Sequence, residues 1–192
     1  MYQKKLEKIK DGLIFKKLLI NEVPFLIDGR ITHEEAMGLC ISVNSFNRFH
    51  LFTVLYNNDC FISEKDMLKT FREVYEISDN VYEQCKCSSF DIKQFLRGIE
   101  KNSWKYFMTP YEQSVCKKLP DTVKIYRGMN IHEHKGGDYG ISWTLSEKRA
   151  DFFAHYFRNG NKEGIVVPID APKDKIIAYL SSRKEKEILY VE

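Results

Sequence analysis

Pro120 divides the chain into two kinds of patterning, and the strand-rich pattern beyond it constrains the fold more than any other feature. Before it, apolar residues recur at helical spacing. Met67, Leu68, Phe71, Val74 and Tyr75 fall on one face of a helix that Ser63 caps. After it, Val123 to Tyr126, Ile141 to Leu145, Gly164 to Ile169, Lys175 to Leu180 and Glu187 to Val191 read as strands. One clear helix interrupts them. Ser146 caps it, Ala150, Phe153, Ala154 and Phe157 line one side, and Asn159-Gly160 stops it. The expected class is therefore α+β: a mainly helical region over residues 1–120 and a sheet core over 121–192, packed as one compact domain or as two small lobes.

Within the first region, Leu13-Ile14-Phe15 and Phe25-Leu26-Ile27 are short apolar runs, with a turn signal at Asp28-Gly29. Thr32 is an N-cap candidate, with Glu34 and Glu35 in the first turn of a helix through Ala36, Leu39 and Cys40. Phe46 to Tyr56 fits helix or strand. A further helix is expected after Ser88 or Ser89, with Phe90, Ile92, Phe95 and Leu96 inside, and Thr109-Pro110 opens a short one ending before Leu119. No repeat and no catalytic signature occurs here, so this half reads as scaffold, with substrate selection as a second role.

Several classes fall away on composition. A net charge of +3, with lysine spread along the chain, gives no electrostatic argument for nucleic acid. No apolar run approaches the roughly 18 residues of a membrane span, and the first residues lack the apolar stretch of a signal peptide. Five cysteines, an odd number, do not make a disulfide framework, so a reducing cytoplasm, of its own cell or of a host cell, is expected. Cys85-Lys86-Cys87 and His132-Glu133-His134 lack the spacing of a known metal site.

The terminal stretch carries Glu185 and Glu187 in front of an apolar strand. In an extended chain they share a face, with carboxylates about 7 Å apart. Alone, such a pair is the pattern of a solvated charge cluster before a terminal strand. Two upstream pieces give it weight: Tyr126-Arg127-Gly128 at one strand end and Ser142-Trp143-Thr144 in the next strand. In that order the three pieces resemble the arginine, Ser-x-Ser/Thr and Glu-x-Glu signature of the toxin-like mono-ADP-ribosyltransferases. The helix from Glu147 to Phe157, with Phe152-Phe153-Ala154, resembles the segment that comes after the second motif in many members. The resemblance spans roughly residues 122 to 192.

It implies a split β-sheet core of that family and NAD as substrate. Cleaving the nicotinamide–ribose bond builds positive charge on the ribose, as in glycoside hydrolysis, and a carboxylate placed there stabilises it. By resemblance Glu187 is that catalytic carboxylate, Ser142 holds it in place, and Thr144 supports the strand. Arg127 takes the pyrophosphate with a bidentate fork, and Gly128 lets backbone approach the nicotinamide amide. Glu185 goes with arginine as acceptor, and the loop from Ser181 to Lys184 in front of it is expected to be mobile and to touch the target. Phe153 or Tyr179 is a candidate to stack on nicotinamide.

The chain departs from the family in having five residues after Glu187 where more strand is expected, so the sheet is trimmed or an N-terminal segment fills an edge. The implied activity is transfer of ADP-ribose from NAD to a macromolecular acceptor, first of all a protein arginine. Nucleic-acid and small-molecule acceptors stay open. An NAD glycohydrolase with the same site, and a non-catalytic binding module on this fold, are the competing readings.

Overall fold

A computed structural model describes residues 30–156, 163–183 and 185–192, with the backbone of 15–20 and 23–28. The chain forms two compact units, residues 1–92 and 93–192. The division thus falls well before Pro120. The helices around Thr109 belong with the sheet after them.

In the first unit, β1 (Phe15–Ile20) and β2 (Val23–Asp28) pair antiparallel, Phe15 opposite Asp28 and Ile20 opposite Val23. The hairpin is a two-stranded sheet of its own and fills no edge of the larger one. Leu13, Ile14 and Gly29 lie outside the described residues. Four helices come next: α1 (His33–Ile41), α2 (Arg48–Asn57), α3 (Glu64–Ile77) and α4 (Val81–Cys87). Thr32 and Glu35 close a reciprocal capping box at the start of α1, which satisfies two of the orphan N–H groups of that end. The ambiguous stretch Phe46 to Tyr56 resolves as α2. Phe49, Leu51, Phe52, Thr53 and Leu55 are all buried, so α2 has no polar face for the periodicity to reveal. Phe49, Phe52 and Phe71 meet at ring-centroid distances of 5.6 to 6.0 Å and form the centre of this core. Phe90 joins them edge-on, 6.1 Å from Phe49. It precedes the next helix, α5 (Ile92–Gly98), and does not sit on its inner stripe. Ser88 ends α4 and caps no new helix.

In the second unit, α6 (Pro110–Lys118) begins with a Thr109–Glu112 capping box and proline in its first turn. Then come β3 (Thr122–Asn130), the short α7 (Ile131–Gly136), β4 (Ser142–Thr144), α8 (Glu147–His155), β5 (Gly164–Pro172), β6 (Ile176–Leu180) and β7 (Glu187–Tyr190). The five strands form one antiparallel sheet in the order β5-β3-β4-β7-β6. The last strand in sequence lies inside the sheet, and β6 takes the edge beyond it. The described residues thus form an α+β fold.

The sheet has a narrow seam. β3 pairs with β5 along its whole length, Thr122 opposite Pro172 to Asn130 opposite Gly164, but with β4 only at Tyr126 opposite Thr144. Past that pair the two strands part, and the chain between them folds as α7. One face of the sheet is closed by Val123, Ile125, Trp143, Ile176, Tyr179, Ile188 and Tyr190, with Val115, Cys116 and Leu119 packed against them. Against the other side lies α8. Ala150 and Ala154 are fully buried there, and a Cβ at Gly128 would stand 1.9 Å from the Ala150 carbonyl oxygen. The small residues let helix and strand backbones come into contact.

Candidate functional site

The parting of β3 and β4 opens a cleft of ≈ 250 Å³ lined by Tyr126, Arg127, Gly128, Ser142, Trp143, Thr144, Phe153, Glu185 and Glu187. Residues from three strands, one helix and the turn before β7, distant in sequence, reach one cavity. The pairing explains how: Tyr126 stands opposite Thr144, and Thr144 opposite Glu187, so the three lie side by side across the sheet. Ser142 is two residues from Thr144 on the same face.

The Ser142 hydroxyl donates to Glu187 Oε1 at 2.6 Å. The Thr144 hydroxyl donates to the Glu185 carbonyl at 2.6 Å, and the Leu145 N–H to the Lys186 carbonyl at 3.1 Å. β4 and the residue after it therefore fix the backbone of the acidic pair as well as one of its carboxylates. The pair is not an extended dipeptide. Lys186 has φ of 49°, in the left-handed region, and β7 begins only at Glu187. Both carboxylates reach the cleft through this turn and not through the two-residue alternation of a strand.

Arg127 is held on two sides. Its Nε donates to Glu133 Oε1 at 2.8 Å, its Nη2 lies 2.7 Å from the same oxygen, and its Nη1 donates to the Ser142 carbonyl. A Cβ on Gly140 would come within 2.6 Å of Nη2, so a side chain there would push the guanidinium aside. Glu133 was not foreseen. It lies in the first turn of α7, held by the Asn130 side chain, which caps its N–H at 2.8 Å. The sequence hint was its place six residues after Arg127. Of its histidine neighbours, His132 lies 3.7 Å from Glu163, and His134 stacks on Tyr139 with a ring nitrogen 3.1 Å from the phenol oxygen. Among the described residues no three His, Cys, Asp or Glu side chains gather as metal ligands would.

Glu185 also has a partner. Arg149, in the first turn of α8, places Nη2 2.9 Å from Glu185 Oε1. Its guanidinium lies 5.0 and 5.2 Å from the ring centroids of Phe152 and Phe153. Arg149 went unread in the sequence, and Glu133 was read there only within the His132-Glu133-His134 run. The cleft and its immediate wall thus hold two guanidiniums against three carboxylates, Glu133, Glu185 and Glu187. Its polar groups act through direction more than through net field.

One of the expected site residues lies elsewhere, and two others sit in surroundings the sequence did not show. Tyr179 is not a lining residue: it is buried among Val123, Trp143 and Ile188, with Tyr111 at 6.5 Å, so of the two stacking candidates only Phe153 lines the cleft. Gly128 does line the cleft, but the space its missing side chain leaves is taken by α8, not left open for a ligand. The loop before Glu185 begins firmly anchored: the Ser181 N–H and hydroxyl both donate to Glu112 Oε1, at 2.6 and 2.9 Å, and Glu112 is itself buried. Lys184 lies outside the described residues.

No family model, curated protein or solved structure matches the chain.

Proposed function

We propose that this cleft binds the nicotinamide–ribose end of NAD and that the chain is a mono-ADP-ribosyltransferase built on a sheet core of that family. The observation that carries the reading is the carboxylate of Glu187, held by the Ser142 hydroxyl at 2.6 Å in the same cleft as Arg127. A carboxylate oriented in this way on a cleft wall is suited to a positive charge that develops on a ribose.

In the proposed reaction the bond between ribose C1′ and the nicotinamide nitrogen breaks, and its electron pair stays on the pyridine ring. The acceptor nitrogen bonds to C1′ and gives up a proton. Glu187 stabilises the oxocarbenium-like transition state, at one ribose hydroxyl. Arg127 offers its remaining N–H donors to the pyrophosphate, held in direction by Glu133, which also offsets its charge. Phe153 offers a face to nicotinamide. The small cleft suits one end of a dinucleotide, with the adenosine end outside it.

The acceptor in this reading is a macromolecule, first of all a protein arginine that pairs with Glu185. Incubation with labelled NAD and cell lysate, then mass spectrometry, is expected to find ADP-ribose on arginine of a protein. NAD turned over to free ADP-ribose, with no labelled macromolecule, would point to the second reading, an NAD glycohydrolase. The observation that favours that alternative is that Glu185 already has a guanidinium beside it.

A further inference from the structure

We propose that Arg149 determines acceptor specificity: its guanidinium occupies the place on Glu185 that an acceptor arginine has to take, so free guanidines are shut out and only an acceptor docked on the protein displaces it. The proposal rests on the reading of the cleft as a site of ADP-ribosyl transfer, and concerns which acceptors that site admits.

Three observations support it. The first is the contact itself. Arg149 Nη2 lies 2.9 Å from Glu185 Oε1, on a carboxylate that lines the cleft beside Glu187. This is the charge-assisted bond an incoming guanidinium would make. The second is how firmly Arg149 is placed. Its backbone N–H donates to the capping Ser146 hydroxyl, the next residue, Ala150, is fully buried, and its guanidinium rests against the rings of Phe152 and Phe153. The third is that the contact is loose enough to break. The Arg149 side chain keeps 34% of its exposure against 17% for Glu185, and its Nε is buried without a hydrogen-bond partner among the described residues. A donor left unpaired offsets part of what the ion pair contributes.

The consequence is a competition between two guanidiniums for one carboxylate. A tethered group acts at an effective concentration in the millimolar range or above. A free guanidine below that level loses the competition, whereas a protein acceptor adds the affinity of its own docking surface. Swinging Arg149 aside frees Glu185 to take the acceptor and the proton it loses as its nitrogen bonds to ribose C1′ and nicotinamide departs.

The test is the partition of NAD between water and agmatine, a small free guanidine. ADP-ribosyl-agmatine formed per nicotinamide released is measured for the wild-type protein and for Arg149→Met, which keeps an unbranched stem over the rings and removes both the ion pair and the unpaired Nε. Arg149→Ala provides the same comparison should the methionine variant fold poorly. The ratio is expected to rise about tenfold or more. Nicotinamide release with an unchanged or lower ratio overturns the specificity role alone. No nicotinamide release from any of these proteins overturns the transfer site itself, and this proposal with it.

Discussion

At the scale of single residues, the acidic pair depends on Lys186. Its φ of 49° puts a side chain bearing a Cβ where glycine is at home, at a cost on the order of 1 kcal/mol. The strain directs both neighbouring carboxylates into the cleft, and the bonds from Thr144 and Leu145 hold it there. Lys186→Val, branched at Cβ, is expected to lower stability by about 1–2 kcal/mol, while Lys186→Gly should leave it unchanged or raise it by less than about 1 kcal/mol. Urea unfolding of the two variants checks this, and equal losses in both would show that the left-handed turn is not what the site depends on. The pair Ser142 and Glu187 differs in kind. It is an ordinary cross-strand neighbourhood in which a short hydroxyl meets a carboxylate, and nothing in it is strained.

At the scale of elements, the contact between α8 and β3 positions the site. Gly128 and Ala150 bring the helix down onto the strand, and the same helix delivers Phe153 and Arg149 to the cleft. Gly128→Ala would drive a methyl group into the Ala150 carbonyl and is expected to cost about 2–3 kcal/mol or more, read as a lowered unfolding midpoint. A fully stable variant would contradict the packing. How far such elements can be read from sequence depends on how local their causes are. Ser142 and Thr144 were legible as one face because strand alternation is local, Glu187 was reached through the family resemblance, and Thr32, Ser63 and Thr109 were legible because a cap bonds within its own turn. Arg149 and Glu133 were not, since their partners are set by how α8 and α7 lie against the sheet. The turn at Lys186 reads as straight strand because no glycine marks it. The helical character of Arg48–Asn57 was hidden because its buried residues run together instead of recurring on one stripe, and the paired strands 15–20 and 23–28 because their apolar runs are short.

At the scale of the whole molecule, each unit has its own core, an aromatic one in residues 1–92 and a sheet core in 93–192. Among the described residues no helix is long and apolar enough to cross a membrane. In the first unit, Asp66 links two helix starts, taking the Ser63 hydroxyl and, at 3.0 Å, the His33 N–H. The Ser63 bond, more than the His33 backbone and nearby charges, holds its carboxyl below the ordinary value of 3.8, against a smaller opposing effect of burial. A depressed carboxylate stabilises the folded state above that value, and the contribution is lost as pH falls through the lower, folded one. Acid titration monitored by helical circular dichroism should therefore show a loss that Asp66→Asn, already without that contribution, no longer shows. Both tryptophans, Trp104 and Trp143, lie in the second unit, so their fluorescence serves as the reference for it. Identical acid profiles for the two proteins would remove Asp66 from the account.

The central claim is that a carboxylate held by a serine beside an arginine breaks NAD at the nicotinamide bond. The most direct measurement is nicotinamide release from NAD by the wild-type protein and by Glu187→Gln, which keeps the shape and removes the charge. Release by the wild type, with a fall of about 100-fold or more in the variant, is the predicted result. Release at an equal rate from both proteins would contradict it.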